Sequence, residues 1–134
     1  MRNLLRALAL ACAAVLGLVA GAAAQPFAYQ VSVTTTPAQA IASNAARKRL
    51  IFHNPNDSVK VAVCPCSAGI SGTSCSSRNG SFTPAINGAG CLSLLPYQTQ
   101  EVSGSTASGP QQAMPSAWMG VGSGSGNLTI YEFE

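Results

Sequence analysis

Charge is scarce in this chain. Of 134 residues, seven are Lys or Arg, four are Asp or Glu and one is His. Four scattered carboxylates do not offer the closely set acid pair that glycoside hydrolysis uses. A single histidine leaves little room for a histidine-based metal site. Aromatic residues make up only 6% of the chain, too few to interleave with basic side chains as a nucleic-acid platform. Beyond residue 24 there is almost no helical periodicity. No second apolar run there reaches the ~20 residues of a membrane-spanning helix. Neither a G-x-S-x-G elbow nor a phosphate-binding loop is present: the glycine-rich stretch Gly120–Gly126 lacks the lysine and following helix of such a loop.

What the chain does have begins at its first residues. Arg2 and Arg6 give a positive start, Leu8 to Ala20 an apolar run, and Ala22-Ala23-Ala24 a small-residue end before Gln25. These are the three parts of a secretory signal peptide, with cleavage expected between Ala24 and Gln25. A lipoprotein reading, with Cys12 acylated, fits less well because the apolar run continues past that cysteine. Residues 25–134 then form one domain. Within them Arg47, Lys48, Arg49, Lys60 and Arg78 face Asp57, Glu101, Glu132 and Glu134, so the overall charge of +3 owes much to the leader. The expected location is exported, periplasmic or extracellular.

Strand signals dominate the remainder. Tyr29 to Thr34 alternates apolar and polar residues and is rich in β-branched side chains. Arg49–His53 and Val59–Val63 flank the turn cluster Asn54-Pro55-Asn56-Asp57 and read as an antiparallel hairpin. Leu92–Leu95, Trp118–Val121 and Leu128–Phe133 are further strands. The alanine-rich stretch Pro37–Arg49 lacks a helical stripe and reads as extended, with a turn near Ser43-Asn44. The expectation is an all-β fold: a single antiparallel β-sandwich or barrel of six to seven short strands. Two long loops, Ser67–Gly90 and Ser103–Ser116, complete it.

Removing the leader leaves Cys64, Cys66, Cys75 and Cys91. An even number of cysteines in an exported small domain reads as disulfides. Cys64 and Cys66 lie two apart and point to one side of an extended strand, so each is expected to pair elsewhere. The favoured pairs are Cys66–Cys75, closing a local loop, and Cys64–Cys91, tying two strands. The C-P-C spacing does not match common zinc pairs, and no cofactor or metal is expected.

Other candidates have plain alternatives. His53 and Asp57, with abundant serine, permit a small hydrolase on paper, but the two share one turn, and a half-exposed strand histidine is the simpler reading. Glu132 and Glu134 read as charges that keep an edge strand soluble. Arg47, Lys48 and Arg49 read as a solvated face that could meet an anionic surface. Phe82, in a glycine-rich loop, is the best exposed aromatic, and Trp118, Tyr97, Tyr29 and Phe82 together could stack on sugar.

The stretch Ala45–Val61, with its basic run, apolar strand ending in Asn54, polar turn and second strand, resembles small β-sandwich domains of phage virion and tail-associated proteins. Leu94-Leu95-Pro96 and Leu128–Glu132 echo the same pattern. The resemblance implies an antiparallel β fold with a structural or attachment role and no catalytic residues. The functional expectation is therefore a non-enzymatic structural or binding module. Its partner would be a protein or glycan surface, with no nucleic acid and no membrane span. A phage-derived or surface-assembly subunit forming homo-oligomers is the alternative.

Overall fold

The computed structural model describes residues 26–77, 80–104 and 114–134. The signal-peptide reading, its Ala24/Gln25 cleavage point and Arg78 lie outside these residues. The fold is all-β, with no helix among the described residues. Two four-stranded antiparallel sheets pack face to face as a sandwich, and a three-stranded sheet forms a partial third layer.

The first sheet has the order β1 (Phe27–Val33), β11 (Gly126–Phe133), β3 (Arg49–His53), β9 (Thr99–Ser103). The second has the order β2 (Ala38–Ile41), β10 (Ala117–Gly122), β4 (Val61–Cys66), β8 (Leu92–Leu94). The alternation that marks a half-buried strand is clearest in β11, where Leu128, Ile130 and Glu132 are buried and their neighbours are not. Leu50 and Phe52 of β3 meet Val61, Val63 and Trp118 of the second sheet in the main core. The Trp118 and Phe52 rings lie 5.1 Å apart, tilted by 48°, a favourable offset geometry.

Two expectations need correction here. Arg49–His53 and Val59–Val63 do not form a hairpin. β3 pairs with β11 and β9, whereas β4 pairs with β10 and β8. The Asn54–Lys60 connector carries the chain across from one sheet to the other. Asn54 makes this crossing rigid. It is fully buried, and its Nδ2 donates to the carbonyls of Val59 at 2.8 Å and Leu95 at 3.0 Å, with Leu94 at 3.3 Å. Its Oδ1 accepts from the Asn56 backbone N–H and side-chain amide. A second crossing, from β10 to β11, is tied to the first at the same end. Asn56 Nδ2 donates to Asn127 O at 2.7 Å, and Asn127 N donates to Asn56 Oδ1 at 3.0 Å. A Cβ at 126 would stand 2.6 Å from Asn56 Oδ1, so any larger residue there must displace this bonded amide.

The second correction concerns the Ser67–Gly90 loop, which is not a loop throughout. It contains β5 (Gly69–Ser71), β6 (Ser74–Ser77) and β7 (Gly80–Phe82), the third sheet. Among the described residues the strand count is thus eight in the sandwich plus three. These extra strands are short and rich in serine and glycine, so they carry no hydrophobic alternation to reveal them. The stretch Pro37–Arg49 is extended as expected, with its turn two residues later than Ser43-Asn44, at Ala45-Ala46.

Candidate functional site

Ala62, Cys64 and Cys66 are buried although they face away from the sandwich interior. Residues of the third sheet pack over the two cysteines. Cys75 of β6 reaches back to Cys66 through a disulfide, and Cys91 reaches Cys64. These are the two pairs that the cysteine spacing favours. Met119, Ile70 and Phe82 pack around the sulfurs and complete a small satellite core. The bridged cysteines lie 9 and 27 positions apart, and the longer bridge encloses the third sheet, restricting the unfolded chain over that whole stretch. Two disulfides are also compatible with an oxidising, exported location.

Between this sheet and the end of the sandwich lies an open cleft of about 480 Å³. Its walls include Ser43, Ser67, Gly69, Pro115 and Ser116, with the Cys66 end of β4 behind them. Among the described residues no charged side chain lines it. The neighbouring faces of the third sheet carry further hydroxyls, and Ser76 and Ser81 pair their Oγ atoms at 3.1 Å. The arrangement offers hydroxyls and backbone groups on a fixed frame, suited to a neutral polar partner.

The basic run does not form one surface. Arg47 is only 4% exposed, a correction to its reading as a contact residue. Its Nε lies 2.8 Å from Glu132 Oε1. Its two terminal nitrogens donate to three backbone carbonyls, those of Met114, Ser116 and Ala42. A planar guanidinium with five fixed donors is suited to such a site. Arg49 is half-buried, with Nε 3.2 Å from Glu101 and the guanidinium 4.3 Å from the centre of the Phe133 ring. Lys48 alone of the three is exposed.

Glu132 needs the same correction. It lies on β11, an interior strand flanked by β1 and β3, and is buried rather than guarding an edge. Burial would push its carboxyl up. Hydrogen bonds from Arg47 and Asn44, the Arg47 charge and a hydrogen bond from Tyr29 outweigh that, and hold it below the ordinary carboxylate value. Tyr29 Oη donates to Glu132 Oε2 at 3.3 Å. Burial first, then the adjacent carboxylate, pushes the Tyr29 phenol up to about 12.

Phe82 is half-buried, because its ring rests over Gly90 and the disulfides. Trp118 is 1% exposed. The four aromatics considered for sugar stacking are therefore not gathered on one surface. Tyr97 is the exposed one, at 64%, on the β8–β9 turn. There Gln98 N donates to Leu95 O at 3.0 Å, and Tyr97 takes a φ of 60°, a left-handed conformation that a bulky side chain rarely adopts. His53 Nδ1 lies 2.9 Å from Thr99 Oγ1, while Asp57 accepts from Ser58 Oγ. The structure thus gives His53 a threonine partner. Among the described residues no three His, Cys, Asp or Glu side chains gather as a metal site, and no helix is long and apolar enough to cross a membrane.

The sequence reading missed the Arg47–Glu132 cluster and Asn54. The signal for Arg47 was weak: its two basic neighbours made it look like part of a solvated run. Asn54 looked like an ordinary turn former.

Fold and site together define an antiparallel β-sandwich with a disulfide-bound third layer. No family model, curated protein or solved structure matches this chain.

Proposed function

We propose that the protein is an exported, non-enzymatic structural or binding module acting in the periplasm or outside the cell. Its contact surface is the β5–β7 layer and the cleft beneath it. One observation carries this reading: a hydroxyl-lined, uncharged cleft sits against the Cys66–Cys75 disulfide at the disulfide-bound third layer, where the chain departs from a simple sandwich. A surface fixed in advance loses less conformational entropy on binding than a flexible loop would. Neutral hydroxyl and backbone groups suit a glycan or an uncharged polar protein surface. The role agrees with the attachment function implied by the resemblance to phage virion and tail-associated domains.

The test is binding of the full chain to arrayed glycans and to purified envelope proteins, with Ser67→Trp as the comparison. The substitution fills the cleft at an exposed position and should abolish binding without changing the fold. Equal binding by both proteins would refute the cleft as the contact site. A second reading, a subunit of a surface assembly, is favoured by one separate observation, the unguarded outer edge of β1.

A further inference from the structure

The sandwich has four outer strands, and three are protected against pairing with another chain. β2 is four residues long, follows Pro37, and its register against β10 breaks between Trp118 and Met119. β8 has three residues and runs into Leu95-Pro96. β9 carries Glu101 at its centre, paired with Arg49. Short length, proline, irregular register and charge are the usual means of blunting an edge.

β1 follows Pro26 as β2 follows Pro37, but it has neither short length, broken register nor charge. It runs seven residues, Phe27–Val33, without charge, proline or glycine, and stays in unbroken register with β11. Among the described residues no strand pairs with its outer side. Every second residue therefore turns its N–H and C=O outward. Phe27 is 61% exposed, yet by strand alternation it shares the face of Tyr29, Val31 and Val33, which pack against the core.

We propose that β1 pairs antiparallel with β1 of a second copy of this chain, about a two-fold axis at Gln30. This rests on the assembly reading and gives it a geometry. The arithmetic of an axis at Gln30 sets Phe27 opposite Val33 of the other copy, Tyr29 opposite Val31, and Ala28 opposite Ser32. Apolar residues meet on the inner face and small or polar ones on the outer. Gln30 meets Gln30, two amides that can hydrogen-bond to each other. The two sheets join into one eight-stranded sheet, and each exposed Phe27 gains an apolar neighbour. A second copy is the favoured occupant because the strand is uncharged and complementary to itself under this axis. The same operation centred on β9 would set Glu101 against Glu101, a like-charge pair that disfavours pairing. An isologous contact of this kind closes on itself as a dimer.

The test uses the full chain in sedimentation or light scattering at about 0.1 mM, a concentration that detects contacts of modest affinity. The wild type should be a dimer. Gln30→Lys and Gln30→Glu each place like charges across the axis and should weaken it more than about tenfold. Mixing the two variants should restore the dimer, because only then do opposite charges meet. Gln30 is exposed, and Trp118 fluorescence verifies that each variant is folded. A monomeric wild type overturns both the pairing and the assembly reading, and leaves the cleft reading standing. A dimer that neither variant weakens overturns the β1 pairing and leaves assembly through another surface. Loss of the dimer in both variants without recovery on mixing overturns the axis at Gln30.

Discussion

Arg47 joins parts of the chain that are far apart in sequence. One side chain holds the carbonyls of Ala42, Met114 and Ser116 and the carboxylate of Glu132. Removing it leaves a buried carboxylate and three carbonyls without that donor. Arg47→Met should cost about 3–5 kcal/mol, the usual cost of breaking a buried ion pair from one side, read as the shift in a urea midpoint. Glu132→Gln keeps a hydrogen-bonding side chain in place and should cost less. The same cluster predicts acid sensitivity. Glu132 has a folded-state value below its ordinary 4.5. Its contribution to stability is therefore full above pH 4.5 and lost as pH falls through the lower folded value. Urea midpoints measured across that range should decline in the wild type and decline less in Glu132→Gln. At the alkaline end, the raised Tyr29 value means that its contribution persists below pH 10 and is lost as pH rises through about 12.

Among the elements, the third sheet depends most on covalent support. β5 and β7 have three residues each, and strands so short are marginal without packing. The double substitution Cys66→Ala with Cys75→Ala should cost about 3 kcal/mol on the loop-entropy account. Amide exchange should quicken in β5–β7 and stay slow in β3, β4 and β11. Uniform acceleration across all strands would show instead that the third sheet and the sandwich unfold as one unit. This division also explains what could be read from the sequence. β1, β3, β4, β10 and β11 announce themselves because alternating or continuous apolar residues report burial directly. Strand geometry excluded a Cys64–Cys66 bond, and of the two pairings left, the one that closes a local loop at Cys66–Cys75 and ties two strands at Cys64–Cys91 is the one formed. The strands of the third sheet were not legible, since sulfur and hydroxyl side chains carry no alternation. The hairpin expected around Asn54–Asp57 was wrong for a different reason. A tight turn and a crossing between sheets use the same residue types, and the choice was made by Asn54 bonding to Leu94 and Leu95, about 40 positions along the chain.

Outside the local hairpins of the third sheet, the molecule is built from distant pairings. Phe27 lies opposite Glu132, and Ala117 opposite Cys66. Closing such long loops before their contacts form makes folding slow, in the range of milliseconds to seconds for domains of this kind. Refolding with disulfides intact, followed by the single buried Trp118, should fall in that range. A chain with reduced cysteines should refold more slowly, because Cys64–Cys91 already joins β4 to the segment that leads into β8.

The pairing of β1 with β11 has a mechanical consequence. Because the strands are antiparallel, Phe27 and Glu132 sit at the same end of the ladder. Tension applied between them acts across the strands and loads the hydrogen bonds one after another. The β1–β11 ladder at the edge of the first sheet therefore opens like a zipper, at low force, when its two strands are drawn apart at that end. Extension then stops short at the bridged segment from Cys64 to Cys91, which cannot lengthen until its sulfurs are reduced. A single-molecule trace should show an early, soft yield and a contour length that grows on adding reductant. Such a module gives way under load without coming apart.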